Sequence, residues 1–354
     1  MKIAYLTFES PAGKSGVGKK IRMQADYWRT AGNEVRHFLL SRPAGRPQAE
    51  NIEYLFADEV RGKPTLAAWR SNRQIRATLK NWAPDVLYMR QVLWWPGAVR
   101  ACDVAPLVVE FNSIALHEYR RRSMVKYGLE LVSRSFLPSR AQGIVSVTPE
   151  IDRSVKASRP LRIVIGNGYD IVDTLPRRPP CNARPQLLFV GSPDQAWHGL
   201  DKLRELASLM PDCDFNIVVP GFSSEGPGNF ICHGALYGEA LAALYQKTDA
   251  AFGTLALHRK KMQEATPLKT REYLGHGIPT IIGYDDPDLA GAAYCLCIGN
   301  FEGNARQSTT QIRRFLDEWR GRTIDRDDII RRLDYRVKES MRLAFFERAI
   351  AYAV

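Results

Sequence analysis

His258-Arg259-Lys260-Lys261-Met262-Gln263-Glu264-Ala265-Thr266-Pro267-Leu268-Lys269-Thr270-Arg271-Glu272-Tyr273-Leu274 is the stretch whose reading decides the fold. Thr266 is a favoured N-cap type and Pro267 suits the first helical position, so a helix is expected to start here and stop near Gly275 to Gly277. Upstream, Ala250-Ala251-Phe252-Gly253-Thr254 reads as a buried strand end, and downstream Ile278-Pro279-Thr280-Ile281-Ile282-Gly283 reads as the next strand. In a strand, loop, helix, strand unit, ligands collect beyond the carboxyl ends of the strands. Arg259, Lys260, Lys261, Lys269 and Arg271 crowd this helix start, where the macrodipole disfavours each cation by roughly 0.3–1 kcal/mol. A pyrophosphate resolves the conflict, because it accepts from the free N–H groups of the first turn while the cations neutralise it. Two glutamates around a basic run are, on spacing alone, more often a solvated helix face.

Working outward, the first half alternates strand and helix signals. A strand over 1–8, a Gly-rich loop, a helix over 17–31 carrying Met23, Tyr27 and Trp28, and a second strand over 32–40 form a βαβ opening. Short apolar strands follow at 84–89, 106–110, 142–147 and 161–165. Pro176, Pro179, Pro180 and Pro185 stand in a stretch poor in apolar residues, so 173–185 is expected to be a linker. It separates a first domain, 1–172, from a second, 186–338, whose alternating series begins at Gln186-Leu187-Leu188-Phe189-Val190-Gly191 and continues through 215–220. After Asn304 the chain turns helical and charged, with Ile312, Phe315, Leu316 and Trp319 on one face, and 341–353 is an apolar-striped helix.

The two glutamates Glu264 and Glu272, separated by seven residues and followed by Tyr273-Leu274-Gly275-His276-Gly277-Ile278-Pro279-Thr280, resemble the E-x7-E signature of retaining glycosyltransferases of GT-B architecture, family four, in its Pro-Leu-Lys and Glu-Tyr-Leu variants. Gly32-Asn33-Glu34-Val35, Pro84-Asp85-Val86, Gly166-Asn167-Gly168-Tyr169-Asp170 and Val190-Gly191-Ser192 with Trp197-His198-Gly199-Leu200-Asp201 are similar to family landmarks in the expected order. The resemblance implies an α/β fold of two Rossmann-like domains facing across a cleft, with a C-terminal helix (339–354) crossing back to the first. It also implies a nucleoside-diphosphate sugar in the second domain and sugar transfer, with anomeric retention, to a glycan, lipid-linked or other acceptor.

The site residues follow from that resemblance. Glu272 would hold the donor ribose and Glu264 the donor sugar, with Thr266, Pro267, Leu268, Lys269, Arg259 and Gly191 around the diphosphate. Family members commonly carry Arg and Lys where this chain has Ser192 and His198. Serine supplies no charge, and histidine supplies it only below a pKa near 6.5, so neutralisation shifts towards Lys269 and Arg259. In the first domain the family places acceptor contacts and a histidine touching the donor sugar near Glu110-Phe111-Asn112-Ser113. His117 is the candidate histidine, with Asn112 and Glu118 as acceptor contacts. Catalytic roles therefore fall on Glu264, His117 and Lys269.

Other patterns are weighed against these. Gly13-Lys14-Ser15-Gly16-Val17-Gly18-Lys19-Lys20 imitates a phosphate loop, yet position 20 is Lys where magnesium binding needs Ser or Thr. Its expected role is a glycine loop facing the cleft at Gly16 and Gly18. Asp212-Cys213-Asp214 has the metal-binding D-x-D form of another glycosyltransferase architecture but precedes a strand, away from the ligand edge, and reads as a turn. No metal or cofactor is expected. Six cysteines lack metal-finger spacing, and Cys295 and Cys297 read as small buried hydrophobes.

At 354 residues, with 45% hydrophobic and 25% charged residues, the chain is long enough for two cores and too apolar for disorder. No run approaches a membrane span of about 18 residues, and Met1–Phe8 reads as a strand and not a signal peptide. A net charge of +12 favours anionic partners, among which nucleic acid ranks low because nothing resembles a zinc knuckle or an aromatic RNA-binding strand and the arginines are spread along the chain. The basic stretch Arg120-Arg121-Arg122-Ser123-Met124-Val125-Lys126-Tyr127-Gly128-Leu129-Glu130-Leu131-Val132 is ordinarily a packed helix with solvated arginines; its second reading is contact with an anionic membrane. A cytoplasmic location is expected, with peripheral contact at the inner face of the membrane as that second reading. The rival functions are a sugar-nucleotide epimerase or a phosphorylase of the same fold, and a catalytically silent sugar-nucleotide-binding protein.

Overall fold

Short apolar runs bounded by turn residues form two all-parallel sheets in the computed structural model, which describes residues 1–11, 16–40, 51–55, 64–223 and 226–353. The first sheet holds β1 (Lys2–Thr7), β2 (Glu34–Leu39), β3 (Ile52–Tyr54), β4 (Val86–Arg90), β5 (Leu107–Phe111), β6 (Gly143–Ser146) and β7 (Leu161–Val164). Their order is β3-β2-β1-β4-β5-β6-β7. The second holds β8 (Gln186–Val190), β9 (Asp214–Val218), β10 (Phe230–Cys232), β11 (Ala250–Phe252), β12 (Thr280–Ile282) and β13 (Cys295–Cys297), ordered β10-β9-β8-β11-β12-β13. Both orders reverse direction beside the first strand of the sheet, β1 and β8. That switch opens a crevice at the carboxyl ends of the strands, the place where doubly wound sheets bind ligands. Helices on both faces explain why β1 and β5 are apolar and buried almost throughout.

The chain divides into two compact units, Met1–Ile165 with Lys338–Val354, and Gly166–Val337. In the first, Tyr5, Trp28 and Tyr88 pack with Phe345 and Phe346 of the long helix Tyr335–Ala353. Trp28 and Tyr88 lie 5.4 and 5.0 Å from Phe346, ring centre to ring centre. Gly143 is dictated by this packing, because a Cβ there would stand 2.7 Å from the Phe345 ring. In the second unit, Leu187, Phe189, Phe215, Ile217, Phe252 and Ile281 of the sheet meet Leu203, Leu206, Ile312 and Phe315 from the covering helices.

The stretch 173–185, read as a linker, lies wholly in the second unit. Arg177 is 4% exposed, its N–H donates to the His276 carbonyl (2.9 Å) and its Nη2 to the Asp249 carbonyl (3.2 Å). Polar contacts thus fasten a segment whose composition promises none, and the division falls earlier, at Ile165 and Gly166. Cys297 is a second correction: it is exposed on the edge strand β13, not buried. No helix among the described residues is long and apolar enough to cross a membrane.

Candidate functional site

Two loops meet at the switch point of the second sheet. The loop after β8 runs from Gly191 to Gly199, and the loop after β11 from Gly253 to Pro267. They are tied together by Leu255 N–H to the His198 carbonyl (3.2 Å) and Ala256 N–H to the Trp197 carbonyl (3.1 Å). Gly199 permits the join, since its φ of +76° suits glycine and a Cβ would meet Leu255 at 3.1 Å. Lys202 fastens the second loop from below, donating to the Leu255 and Phe301 carbonyls and to Asn304 Oδ1 (3.3, 2.7 and 2.7 Å).

The helix Leu268–Gly275 starts at this edge. Its N-cap is Pro267, in extended conformation, whose side chain offers no acceptor to the first-turn N–H groups. Tyr273, fully buried, fixes the helix to the end of β8 by accepting from the Val190 N–H at 2.8 Å. Thr270 and Tyr284 share a buried hydroxyl pair at 2.8 Å.

On the first turn, Lys269 turns its ammonium over the Phe189 ring, 4.2 Å from the centroid, and to within 3.3 Å of His198 Nε2. Burial lowers its pKa to about 7. His198 is buried, and burial first and the Lys269 charge second push its pKa down to about 3, against a raising contribution from the Ser192 backbone. It is therefore a neutral imidazole at physiological pH. Gly191 is required where it stands, because a Cβ would lie 2.6 Å from Phe189 and 2.9 Å from His198 Nδ1. Ser192, one residue on, is exposed.

The cations that looked equivalent in sequence separate sharply. Arg271 is fully buried and paired with Asp286 and with Asp288 (2.9 Å), and it donates to the Asn167 carbonyl at 3.2 Å. It holds the 166–168 turn and the 286–288 turn to the helix, and its charge is spent there. Arg259 is gripped by Asp201 (2.9 and 2.7 Å) and by Glu302, and it donates to the Ala196 carbonyl. Its charge is largely compensated, which counts against the diphosphate role read for it. Lys260 stands over the Trp197 ring at 4.4 Å.

Thr266 is not the cap that its residue type predicts. Its hydroxyl accepts from Asn167 Nδ2 at 3.2 Å, and its carbonyl from the same group at 2.7 Å. The helix therefore begins one residue later than expected. Glu264 forms a single parallel bridge with Asp285, so the loop before the helix runs beside the end of β12. Glu272 is half-buried on the second turn, where its charge, after burial itself, raises the pKa of the Tyr169 and Tyr245 phenols. Asn167, Asp201 and Glu302 escaped the sequence reading. Asn167 and Asp201 had a signal, since they lie within the Gly166-Asn167-Gly168 and Trp197-His198-Gly199-Leu200-Asp201 landmarks.

The remaining candidates belong to the first unit. The helix Gly16–Thr30 begins at Gly16 and buries Gly18, while residues 13–15 of the glycine loop lie outside the described residues. Asn112, just past β5, accepts from Lys20 Nζ at 3.0 Å, and the same ammonium donates to buried Glu110 at 2.8 Å. Arg90 and Arg342 also lie 3.6 and 3.5 Å from Glu110. Burial opposes ionisation of Glu110, but these three cations prevail and hold its pKa below the usual carboxylate range. His117 and Glu118 are half-buried on the first turn of the helix Ala115–Arg122. Asp214 opens β9 at its amino end and Asp212 pairs with Arg313, both away from the ligand edge. No group of metal-ligating side chains occurs among the described residues.

No family model and no curated protein sequence matches the chain. Solved structures match it in fold over nearly its whole length. Sucrose-phosphate synthase from Thermosynechococcus elongatus superimposes with a TM-score of 0.73 at 14% identity, covering 99% of each chain. The lipopolysaccharide outer core galactosyltransferase WaaB gives 0.68 at 14% identity, covering 98% of this chain and 100% of that one. Anabaena HepE, solved with UDP and glucose, gives 0.67 at 14% identity with the same coverage. The α/β fold with its two parallel sheets is thus that of GT-B glycosyltransferases.

Proposed function

We propose that the chain is a retaining glycosyltransferase that moves a sugar from a nucleoside diphosphate to a glycan or lipid-linked acceptor. The observation that carries the reading is Lys269, a partly buried ammonium on the first turn of a helix whose N-cap, Pro267, has no side-chain acceptor, at the switch point of the second sheet. Helix N–H groups and one adjacent cation suit a departing diphosphate, whose negative charge grows as the bond to the sugar breaks. Neutral His198 adds hydrogen bonding without charge. Glu272 is assigned to the ribose hydroxyls and Glu264 to the donor sugar.

The reaction breaks the bond between the anomeric carbon and the diphosphate oxygen and forms one from that carbon to the acceptor oxygen on the same face. The leaving phosphate takes the acceptor's proton, so no protein carboxylate nucleophile and no metal enters the scheme. Asn112 and Glu118 of the first unit, with Gly16 and Gly18, are assigned to the acceptor side, and His117 keeps the catalytic role read for it.

The test is a panel of UDP-, GDP- and ADP-sugars. The account expects a rise in melting temperature with one nucleoside diphosphate, together with slow donor hydrolysis or transfer. Binding with neither hydrolysis nor transfer to any acceptor would instead establish a silent sugar-nucleotide binder. Conversion of one sugar nucleotide into another would establish an epimerase.

A further inference from the structure

The helix Met124–Ser133 is two-faced in an unusual way. Met124, Val125, Leu129, Leu131 and Val132 are all exposed, Val125 to 79% and Val132 to 70%, and Phe136 continues the patch beyond the helix. At 3.6 residues per turn they cover a side spanning roughly 160°. Glu130 and Ser133 lie on the other side and are buried. A contiguous apolar face of this kind marks an interaction surface rather than scattered exposure.

The inner side of the same helix walls a cavity of about 420 Å³ at the carboxyl end of β5. Glu130, Arg134, Glu150, Arg153 and Lys156 carry the charge in its lining, with Phe111 and His117 beside them. Three cations thus stand with two carboxylates around a pocket at the ligand edge of the first sheet. The charge around the outer face has the same sign. Arg120 and Lys126 are exposed next to the apolar stretch, while Glu130 is turned inward.

We propose that the acceptor is an anionic, lipid-linked saccharide, collected while the Met124–Ser133 helix lies on an anionic bilayer. The exposed apolar side chains enter the boundary between headgroups and acyl chains, and the flanking cations pair with lipid phosphates, as interfacial amphipathic helices do. The cavity on the inner side receives the phosphorylated polar head between Arg134, Arg153 and Lys156. This rests on the glycosyltransferase reading for its chemistry, while the docking face stands on its own observations.

The experiment sediments the full chain with vesicles of phosphatidylcholine alone and with vesicles containing about 30% phosphatidylglycerol, at about physiological salt, where exposed charges are screened beyond about 8 Å. The wild type should bind the anionic vesicles at least tenfold more tightly than the neutral ones. The double variant Val125→Asp with Val132→Asp changes only exposed side chains and should lose at least tenfold on anionic vesicles while keeping the wild-type thermal shift with nucleoside diphosphate. Loss of that shift in both proteins would speak against the donor site and leave the vesicle result standing. A wild type that stays in the supernatant, or a double variant that sediments equally, overturns the docking face. So does a dimer in light scattering that the double variant splits, because the face would then join two copies. With labelled sugar nucleotide and total membrane extract, the label should enter the organic-solvent-extractable lipid; recovery only in water-soluble glycan overturns the acceptor assignment.

Discussion

Lys269 offers the sharpest prediction, because its environment makes nucleotide binding a proton-uptake reaction. In the free protein burial holds its pKa at about 7. A diphosphate placed against the ammonium favours the charged form and returns the group towards an ordinary lysine value near 10.4. At pH 8 only about a tenth of the free protein carries the proton, so binding should take up about 0.9 proton, and about 0.5 at pH 7. The bound state holds more protons than the free state, so affinity is fully developed below pH 7. It then falls by up to about tenfold for each pH unit above that. The coupling has a ceiling of roughly 4–5 kcal/mol at about 1.36 kcal/mol per pKa unit. His198 stays neutral in this range, with its pKa near 3, and a terminal phosphate with a pKa of about 6 is already ionised at pH 8. Calorimetry in buffers of different ionisation enthalpy reads the uptake directly. Lys269→Met should reduce it to near zero and weaken binding at pH 7 by tenfold or more. Uptake below about 0.2 proton by the wild type at pH 8 would refute the contact between ammonium and diphosphate.

Three further outcomes follow from the same geometry. Arg271→Ala leaves Asp286 buried without its partner and should destabilise the second unit by roughly 3–5 kcal/mol in denaturant unfolding; a loss under about 1 kcal/mol would show that the pair does not anchor the helix. Gly191→Ala forces a Cβ onto Phe189 and His198, so nucleotide affinity measured by calorimetry should fall at least tenfold; unchanged affinity would remove His198 and its loop from the site. Glu272→Ala should abolish the thermal shift given by nucleoside diphosphate, and a shift equal to that of the wild type would free Glu272 from any ribose role.

Strands with four or more apolar residues were legible from sequence, and so was the strand, loop, helix, strand unit around Glu264 and Glu272. The three-residue edge strands β3, β10 and β13 were not, since they have too few residues to display alternation and are defined by the neighbour they pair with. Cys295 and Cys297 show the same limit: their apolar context suggests a core, while β13 lies at the sheet edge. In the candidate site, residue types were legible and allegiances were not. Lys269, Arg271 and Arg259 look alike in the chain, but Arg271 answers to Asp286 and Asp288, and Arg259 to Asp201 and Glu302. Thr266 has the local credentials of a cap, yet its partner Asn167 stands 99 residues away. Local propensity settles where an element lies, and long-range partners settle what its side chains do.

The most direct measurement is a crystal structure with the nucleoside diphosphate that gives the largest thermal shift. The account predicts the diphosphate at the first turn of the Leu268–Gly275 helix, accepting from its N–H groups with Lys269 Nζ within hydrogen-bond distance and Glu272 on the ribose. A nucleotide bound elsewhere, with Glu264 and Glu272 both directed into bulk solvent, would contradict it.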